Sequence, residues 1–302
     1  RKIHKKPTPY VGGLMIGLVY LISYLIFDFE NYNFSLILIF GFIISIVGFI
    51  DDKINLNVIS KLFFQSTPIL ILIFNYDFVV YELGDFKNFS IQLGIFAYIF
   101  TLLAVFLLIN ANNYIDGVDG FAGILFISSI FLIFFNLKDI NNSTLFYFLV
   151  ITVPVIVFLF FNLSLLKLPK VFLGDSGSLL LGFILSFTLI ISNKFLDIHP
   201  VKLAWSVPLI VYDFLSINIL RLIERKNIFS PEKKHIQHLI LSKTNSVYLT
   251  NIIGFLMNLL MGMFGLIIFY FFSKLLSIIF FIILFFIYLV IRIYFSRLRK
   301  VK

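Results

Sequence analysis

Long unbroken apolar stretches dominate this chain and leave it few ways to fold. Ten candidates occur, at 11–27, 34–50, 58–74, 91–109, 121–135, 145–161, 179–192, 201–220, 247–271 and 275–294. A helix that crosses a bilayer needs roughly 17–25 mostly apolar residues. These stretches are apolar throughout rather than along one helical face, which marks spanning helices instead of amphipathic surface ones. The stretches at 121–135 and 179–192 are short and require extension into their flanks. Strands of a membrane barrel would alternate over about ten residues, a pattern not seen here. The chain is 61% hydrophobic and 13% charged, against about 45–50% and about 25% for an average soluble domain. The expected fold class is therefore all-α, a polytopic transmembrane helix bundle of about ten spans, with 1–302 forming one integral membrane domain. An ordinary soluble enzyme, a disordered chain and a disulfide scaffold are excluded. There is no cysteine, so a thiolate metal site and a cysteine nucleophile are excluded too.

Orientation follows from Lys and Arg in alternate connections. The set 1–10, 51–61, 110–120, 162–178, 221–246 and 292–302 holds 19, and the other set holds five. That bias places the first set in the cytoplasm. It also accounts for the net charge of +9 without a nucleic-acid partner. The basic flank Arg1–Lys6 leads to the expectation of one more N-terminal helix before Arg1.

The rare polar residues gather in that cytoplasmic set, at 51–61, 110–120, 171–178 and 221–246, which suggests one site at the membrane boundary. Asp51 and Asp52 end an apolar helix, where the helix dipole disfavours two negative charges. A divalent cation would relieve them; Lys53 and Lys61 could do so as well, and a solvated pair that stops a helix is the alternative. Asp116-Gly-Val-Asp119-Gly120 places glycines beside each acid, so backbone can approach a ligand. The spacing of three could set both acids on one helical face. Asn110, Asn112 and Asn113 lie just upstream, and a simple helix break is the alternative.

In Gly174-Asp-Ser-Gly-Ser178, Ser176 and Ser178 could cap the next helix, and the N–H groups there would attract phosphate. Asp175 could hold an accompanying cation, since Mg2+ takes one or two carboxylates plus water and phosphates. The segment 221–246 carries Arg221, Arg225, Lys226, Lys233 and Lys234 beside His235 and His238. Positive-inside bias, a lipid headgroup contact or phosphate binding each accommodates this, whereas zinc lacks a third ligand nearby. Asp213, alone within a span, is either functional or a structural partner inside the bundle.

These motifs, in this order, resemble the polyprenyl-phosphate N-acetylhexosamine-1-phosphate transferases, relatives of the phospho-N-acetylmuramoyl-pentapeptide transferases. The resemblance runs from Arg1-Lys-Ile-His-Lys-Lys-Pro-Thr-Pro-Tyr-Val-Gly-Gly13 through Asp51-Asp52, Lys61-Leu-Phe-Phe-Gln65 and Asn113-Tyr-Ile-Asp-Gly-Val-Asp-Gly-Phe-Ala122. It continues with Phe172-Leu-Gly-Asp-Ser-Gly-Ser178 and Ser230-Pro-Glu-Lys-Lys-His-Ile-Gln-His-Leu239. The start of the chain and its short loops look more like the glycan-initiating branch than the peptidoglycan branch.

The resemblance implies transfer of a sugar phosphate from a UDP-N-acetylhexosamine to polyprenyl phosphate, releasing UMP, in a bacterial cytoplasmic membrane with the site facing inward. It implies Asp175 as a Mg2+ ligand (Mn2+ being the substitute metal), with Asp51 and Asp52 catalytic near the metal and the lipid phosphate. Asn113, Asp116, Asp119 and Phe172 would shape the nucleotide pocket, and Lys61, His235 and His238 would contact phosphates or sugar. A homodimer is compatible with it. One departure stands out: relatives carry His-x-His-His where this chain has His235-Ile-Gln-His238. Either the middle histidine is dispensable or the sugar pocket differs. The competing function is an ion-coupled transporter, which would place its ionisable groups at the bilayer midplane.

Overall fold

The computed structural model describes residues 8–225 and 235–298. The expected basic flank Arg1–Lys6, the residues Lys226, Lys233 and Lys234, and the segment Ser230–Lys234 lie outside them. The described chain is a helix bundle: α1 (Gly12–Ile26), α2 (Tyr32–Ile54), α3 (Val58–Asn75), α4 (Ala97–Ile115), α5 (Phe121–Phe135), α6 (Asn142–Asn162), α7 (Gly174–Lys194), α8 (Pro200–Ala204), α9 (Pro208–Ile223), α10 (Ile236–Thr244), α11 (Val247–Phe271) and α12 (Lys274–Leu298). Asparagine caps at Asn31, Asn57 and Asn141 start α2, α3 and α6, each accepting a backbone N–H from the first turn.

Among the described residues, seven helices are long and apolar enough to cross a membrane. The expected ten are thus corrected at three places. Helices α1 and α5 have 15 residues each, about 22 Å at 1.5 Å per residue, short of a hydrocarbon core of about 30 Å. The expected extension is found only for 179–192, which grows to the 21 residues of α7. The third correction is the stretch 201–220, which is broken between α8 and α9 at Trp205-Ser-Val207.

That break leaves backbone groups without helical partners inside the bundle, where they must be satisfied by protein. Asn258 of α11 supplies the partners. Its Oδ1 accepts the Leu209 N–H at 3.2 Å, while its Nδ2 donates to the Ser206 carbonyl and to the hydroxyls of Ser128 and Ser129. Pro208 starts α9 at a position where its missing N–H costs nothing.

A further departure from the all-helical expectation is a small antiparallel hairpin, β1 (Glu82–Asp85) and β2 (Ser90–Gln92), which replaces the start of the expected stretch 91–109. It lies at the end of the bundle opposite the acidic motifs. There His199 packs on Phe86 and Lys274 pairs with Asp85.

Helix α7 is the hub, packed by α1, α2, α4 and α5 and buried along most of its length. Its small residues let neighbours reach its backbone. A Cβ on Gly13 would lie 1.9 Å from the Gly177 nitrogen, so α1 crosses α7 backbone to backbone. The segment before α1 adds strand-like bonds at the same end, with Phe172 N donating to Pro9 O, Gly12 N to Phe172 O and Gly13 N to Leu173 O, each at 3.0 Å.

Candidate active site

The last turn of α2 presents Asp51 and Asp52, and α3 begins four residues after α2 ends. The chain reverses through Asn55 in a left-handed conformation, and the Leu56 N–H bonds Asp51 Oδ1 at 2.8 Å. This reversal carries Lys61, in the first turns of α3, back over the acids. Lys61 Nζ lies 2.6 Å from Asp51 Oδ2 and 2.6 Å from Asp175 Oδ2. Lys53 instead lies over the Phe49 ring at 4.5 Å.

Asp52 has a different task. Its Oδ1 accepts the Asp175 N–H at 2.9 Å and its Oδ2 the Ser176 N–H at 3.2 Å. It therefore occupies the anion position at the N-terminus of α7, where carboxylate and helix dipole attract. Gly174, with φ +73°, makes the turn, and a Cβ there would lie 2.5 Å from Asp52 Oδ2. Two expectations are corrected here. The N–H groups expected to attract phosphate are held by Asp52. Ser176 and Ser178 are not caps, because α7 already starts at Gly174, with Leu173 at the N-cap position and Asp52 of α2 accepting the N–H groups of the first turn.

Asn113, near the end of α4, joins this cluster. Its Nδ2 lies 3.0 Å from Asp175 Oδ1 and 2.9 Å from Ser178 Oγ. Asp175 is thus fixed by Lys61 on one oxygen and Asn113 on the other.

Asp116 to Gly120 is a turn between α4 and α5, not a helix, so the two acids do not share a helical face as expected. Burial first, then the charges of Asp175, Asp119 and Asp52, push the Asp116 carboxyl up to about 8. Asp119 pairs with Lys170, while its carbonyl accepts from Asn251 Nδ2 at 2.9 Å. Lys170 Nζ also lies 5.3 Å from the Phe172 ring centre, and Tyr10 packs on the same ring with centroids 5.1 Å apart.

Helix α10 closes the remaining side. Gln237 Nε2 donates to the Tyr114 carbonyl at 3.0 Å, and its side chain is buried. A Cβ on Gly117 would lie 2.7 Å from His238 Nε2, so this histidine rests against the acidic turn. His235 is buried, its Nδ1 2.9 Å from Asp213 Oδ2 and its ring against Tyr114.

The four sequence clusters therefore meet at one end of the bundle. Asp51, Asp52, Lys61, Asn113 and Asp175 form the centre; Asp116, Asp119 and Phe172 line one flank, and His238 another. His235 reaches this assembly through Asp213 and Tyr114 rather than by direct contact with the acids. Sequence reasoning missed Lys170 as the partner of Asp119, since it counted only as one of several inside charges. It also missed Asn251, whose position within an apolar helix is itself a signal.

The Lys61 ammonium lies between two carboxylates, Asp51 and Asp175, while Asp52 bonds the Asp175 backbone and Asp116 lies near enough to feel the charges of Asp175 and Asp52. Acids and an ammonium thus stand together at one end of an apolar bundle.

Comparison with known proteins agrees with this arrangement. Residues 34–193 match the model of glycosyl transferase family 4. The chain is 30% identical over 246 residues to the undecaprenyl-phosphate alpha-N-acetylglucosaminyl 1-phosphate transferases of Escherichia coli (strain K12) and Yersinia pestis, covering 80% of this chain and 67% of each relative. It is 28% identical over 270 residues to the probable undecaprenyl-phosphate N-acetylglucosaminyl 1-phosphate transferase of Bacillus subtilis (strain 168), covering 86% of this chain and 74% of that protein. The transporter alternative falls away: this polytopic membrane protein is a transferase and belongs to glycosyl transferase family 4.

Proposed function

We propose that the enzyme transfers an N-acetylhexosamine 1-phosphate, of the N-acetylglucosamine type, from its UDP-sugar to undecaprenyl or a similar polyprenyl phosphate. The product lipid would initiate a cell-envelope glycan. The observation that carries this reading is the convergence of Asp51, Lys61, Asn113 and Asp175 at the loop end of an apolar bundle. A lipid phosphate can reach that level with its tail still in the membrane, and a water-soluble nucleotide can reach it from the other side. The charge bias of the connections supports a cytoplasmic site in a bacterial inner membrane.

In the reaction, an oxygen of the lipid phosphate bonds to the β-phosphorus of the UDP-sugar. The bond from that phosphorus to the bridging oxygen breaks, and its electron pair leaves with UMP. The lipid phosphate, with a second pKa of about 6, is largely dianionic at neutral pH, so no strong base is required. The protein's work is then positioning and charge compensation. Lys61 would pair with a substrate phosphate, Lys170 and Phe172 would border the nucleotide, and His238 would contact phosphate or sugar. Asp52, through the Asp175 and Ser176 N–H groups, would hold the Asp175 turn in place.

Mg2+ fits the donor set. Asp51 Oδ2 and Asp175 Oδ2 already converge on one cation, the Lys61 ammonium, at 2.6 Å each. Two carboxylates with phosphates and water completing the shell is the coordination Mg2+ favours. Among the described residues no group of three or more His, Asp or Glu side chains could hold a metal ion by itself, so substrate phosphates and water would have to complete the shell. When bound, the ion would supply charge stabilisation on the pyrophosphate.

Purified protein supplied with UDP-N-acetylhexosamines, with and without undecaprenyl phosphate and Mg2+, tests this. UMP release that needs both is the expected result. Release without lipid, or none from folded protein with any such donor, would overturn the reading.

A further inference from the structure

Asp213 is an acid in the middle of α9 with no exposure to solvent, and the reaction outlined above makes no use of it. Its two oxygens collect four donors from two parts of the chain. Oδ2 meets His235 Nδ1 at 2.9 Å; Oδ1 meets the Ile236 N–H at 3.0 Å, Tyr288 Oη at 3.0 Å and Arg292 Nη2 at 3.3 Å. Tyr288 and Arg292 are four residues apart on α12, hence on one face of that helix. The Ile236 N–H is the first of α10, so the carboxylate also lies at the favourable end of that helix's dipole.

What α10 carries next explains why this matters. Directly after the anchored pair come Gln237, bonded to Tyr114, and His238, resting against Gly117 of the acidic turn. A segment held at its start by two bonds to a carboxylate that α12 itself fixes through two more resists rotation of its next turn away from that acidic turn. If the carboxylate served only to neutralise Arg292 within the bundle, bonds to the His235 ring and to the start of α10 would not be required.

We propose that Asp213 is a positioning residue: together with Tyr288 and Arg292 it fixes the ring of His235 and the start of α10, and so sets His238 against the active-site turn. Helix α12 contributes no group to the centre, yet it is a working part of it through this node. The role in turnover rests on the transferase reading; the seating of α10 does not.

Asp213→Asn keeps the size but loses the charge, and takes a carboxylate away from the buried Arg292 cation. Arg292→Gln in the same chain removes that cation. For Asp213→Asn, amide exchange at 236–239 should quicken about tenfold or more while α7 is unchanged, and kcat should fall about 10- to 100-fold. In the double variant thermal stability should return toward wild type while kcat stays low. Tyr288→Phe, which removes one hydroxyl only, should give a smaller loss of kcat with the same exchange signature. Unchanged exchange at 236–239, or wild-type kcat in the double variant, would overturn the proposal. The exchange experiment needs no turnover, so it keeps its meaning if the wild-type protein transfers no sugar phosphate.

Discussion

Lys61 Nζ lies 2.6 Å from Asp175 Oδ2, joining helices whose sequence positions are 114 residues apart. The same ammonium touches Asp51 at 2.6 Å. One cation thus holds together two carboxylates that would otherwise repel, at the point where the proposed reaction requires positive charge. Lys61→Met should leave the bundle folded and lower kcat/KM about 10- to 100-fold, the range of a lost charge-assisted bond of about 1.5–3 kcal/mol. Steady-state kinetics alongside a melting curve in detergent check this. Activity within about twofold of wild type would mean that Lys61 does not meet substrate.

Asp52 poses a sharper question, because both of its oxygens accept backbone N–H groups and so tie the end of α2 to the start of α7. Asp52→Asn retains one acceptor oxygen and leaves one N–H of the α7 start without a partner. Lower kcat and a lower melting temperature are expected, with the shape of the pH–rate profile preserved. Disappearance of the acidic limb of that profile would instead make Asp52 the base.

Asp116 predicts a pH dependence of stability. Its carboxyl is pushed up to about 8 in the folded protein by burial and by the neighbouring acids. Between the ordinary aspartate range and about 8 the folded form holds a proton that the unfolded form has lost, so stability falls as pH rises through that window and levels above it. Melting temperatures of wild type and Asp116→Asn, taken in chelator from about pH 5 to about pH 9, should diverge with rising pH, the variant becoming the more stable. Parallel curves would contradict the account.

Gln237 stands where the family resemblance leads one to expect a histidine. Its amide is buried and already donates to Tyr114, so it acts as a clasp between α10 and α4. Gln237→His retains a donor and should leave the preference among UDP-N-acetylhexosamines unchanged within about threefold, as a competition assay would show. A switch of preferred sugar would place residue 237 at the substrate.

Much of this was legible in the sequence, for definite reasons. Continuous apolar runs announced α2, α3, α6, α11 and α12, since only helices and closed barrels satisfy the backbone in lipid and the runs lack a barrel's alternation. Asp51, Lys61, Asn113 and Asp175 stood out because polar residues at an apolar boundary need partners, and the charge bias set them on one side. The break at Trp205-Ser-Val207 was hidden, because its stretch reads as continuously apolar and its partner, Asn258, is about fifty positions away. The opposed duties of Asp51 and Asp52 were hidden as well: adjacent on the chain, they differ only in which backbone or side-chain donor each faces in three dimensions. Asp213 could be picked out as an acid within a span, but its role depends on His235, Tyr288 and Arg292, which the fold alone brings together.

The central claim is that this site joins a sugar phosphate to a lipid phosphate around Asp175. The direct measurement supplies UDP-N-acetylglucosamine labelled at the β-phosphorus together with undecaprenyl phosphate and Mg2+, and compares wild type with Asp175→Asn. Label should pass into the organic phase with wild type, one UMP appearing per labelled lipid, and no transfer should occur with the folded variant. Label released as soluble sugar phosphate, or transfer by Asp175→Asn at near wild-type rate, would contradict the account.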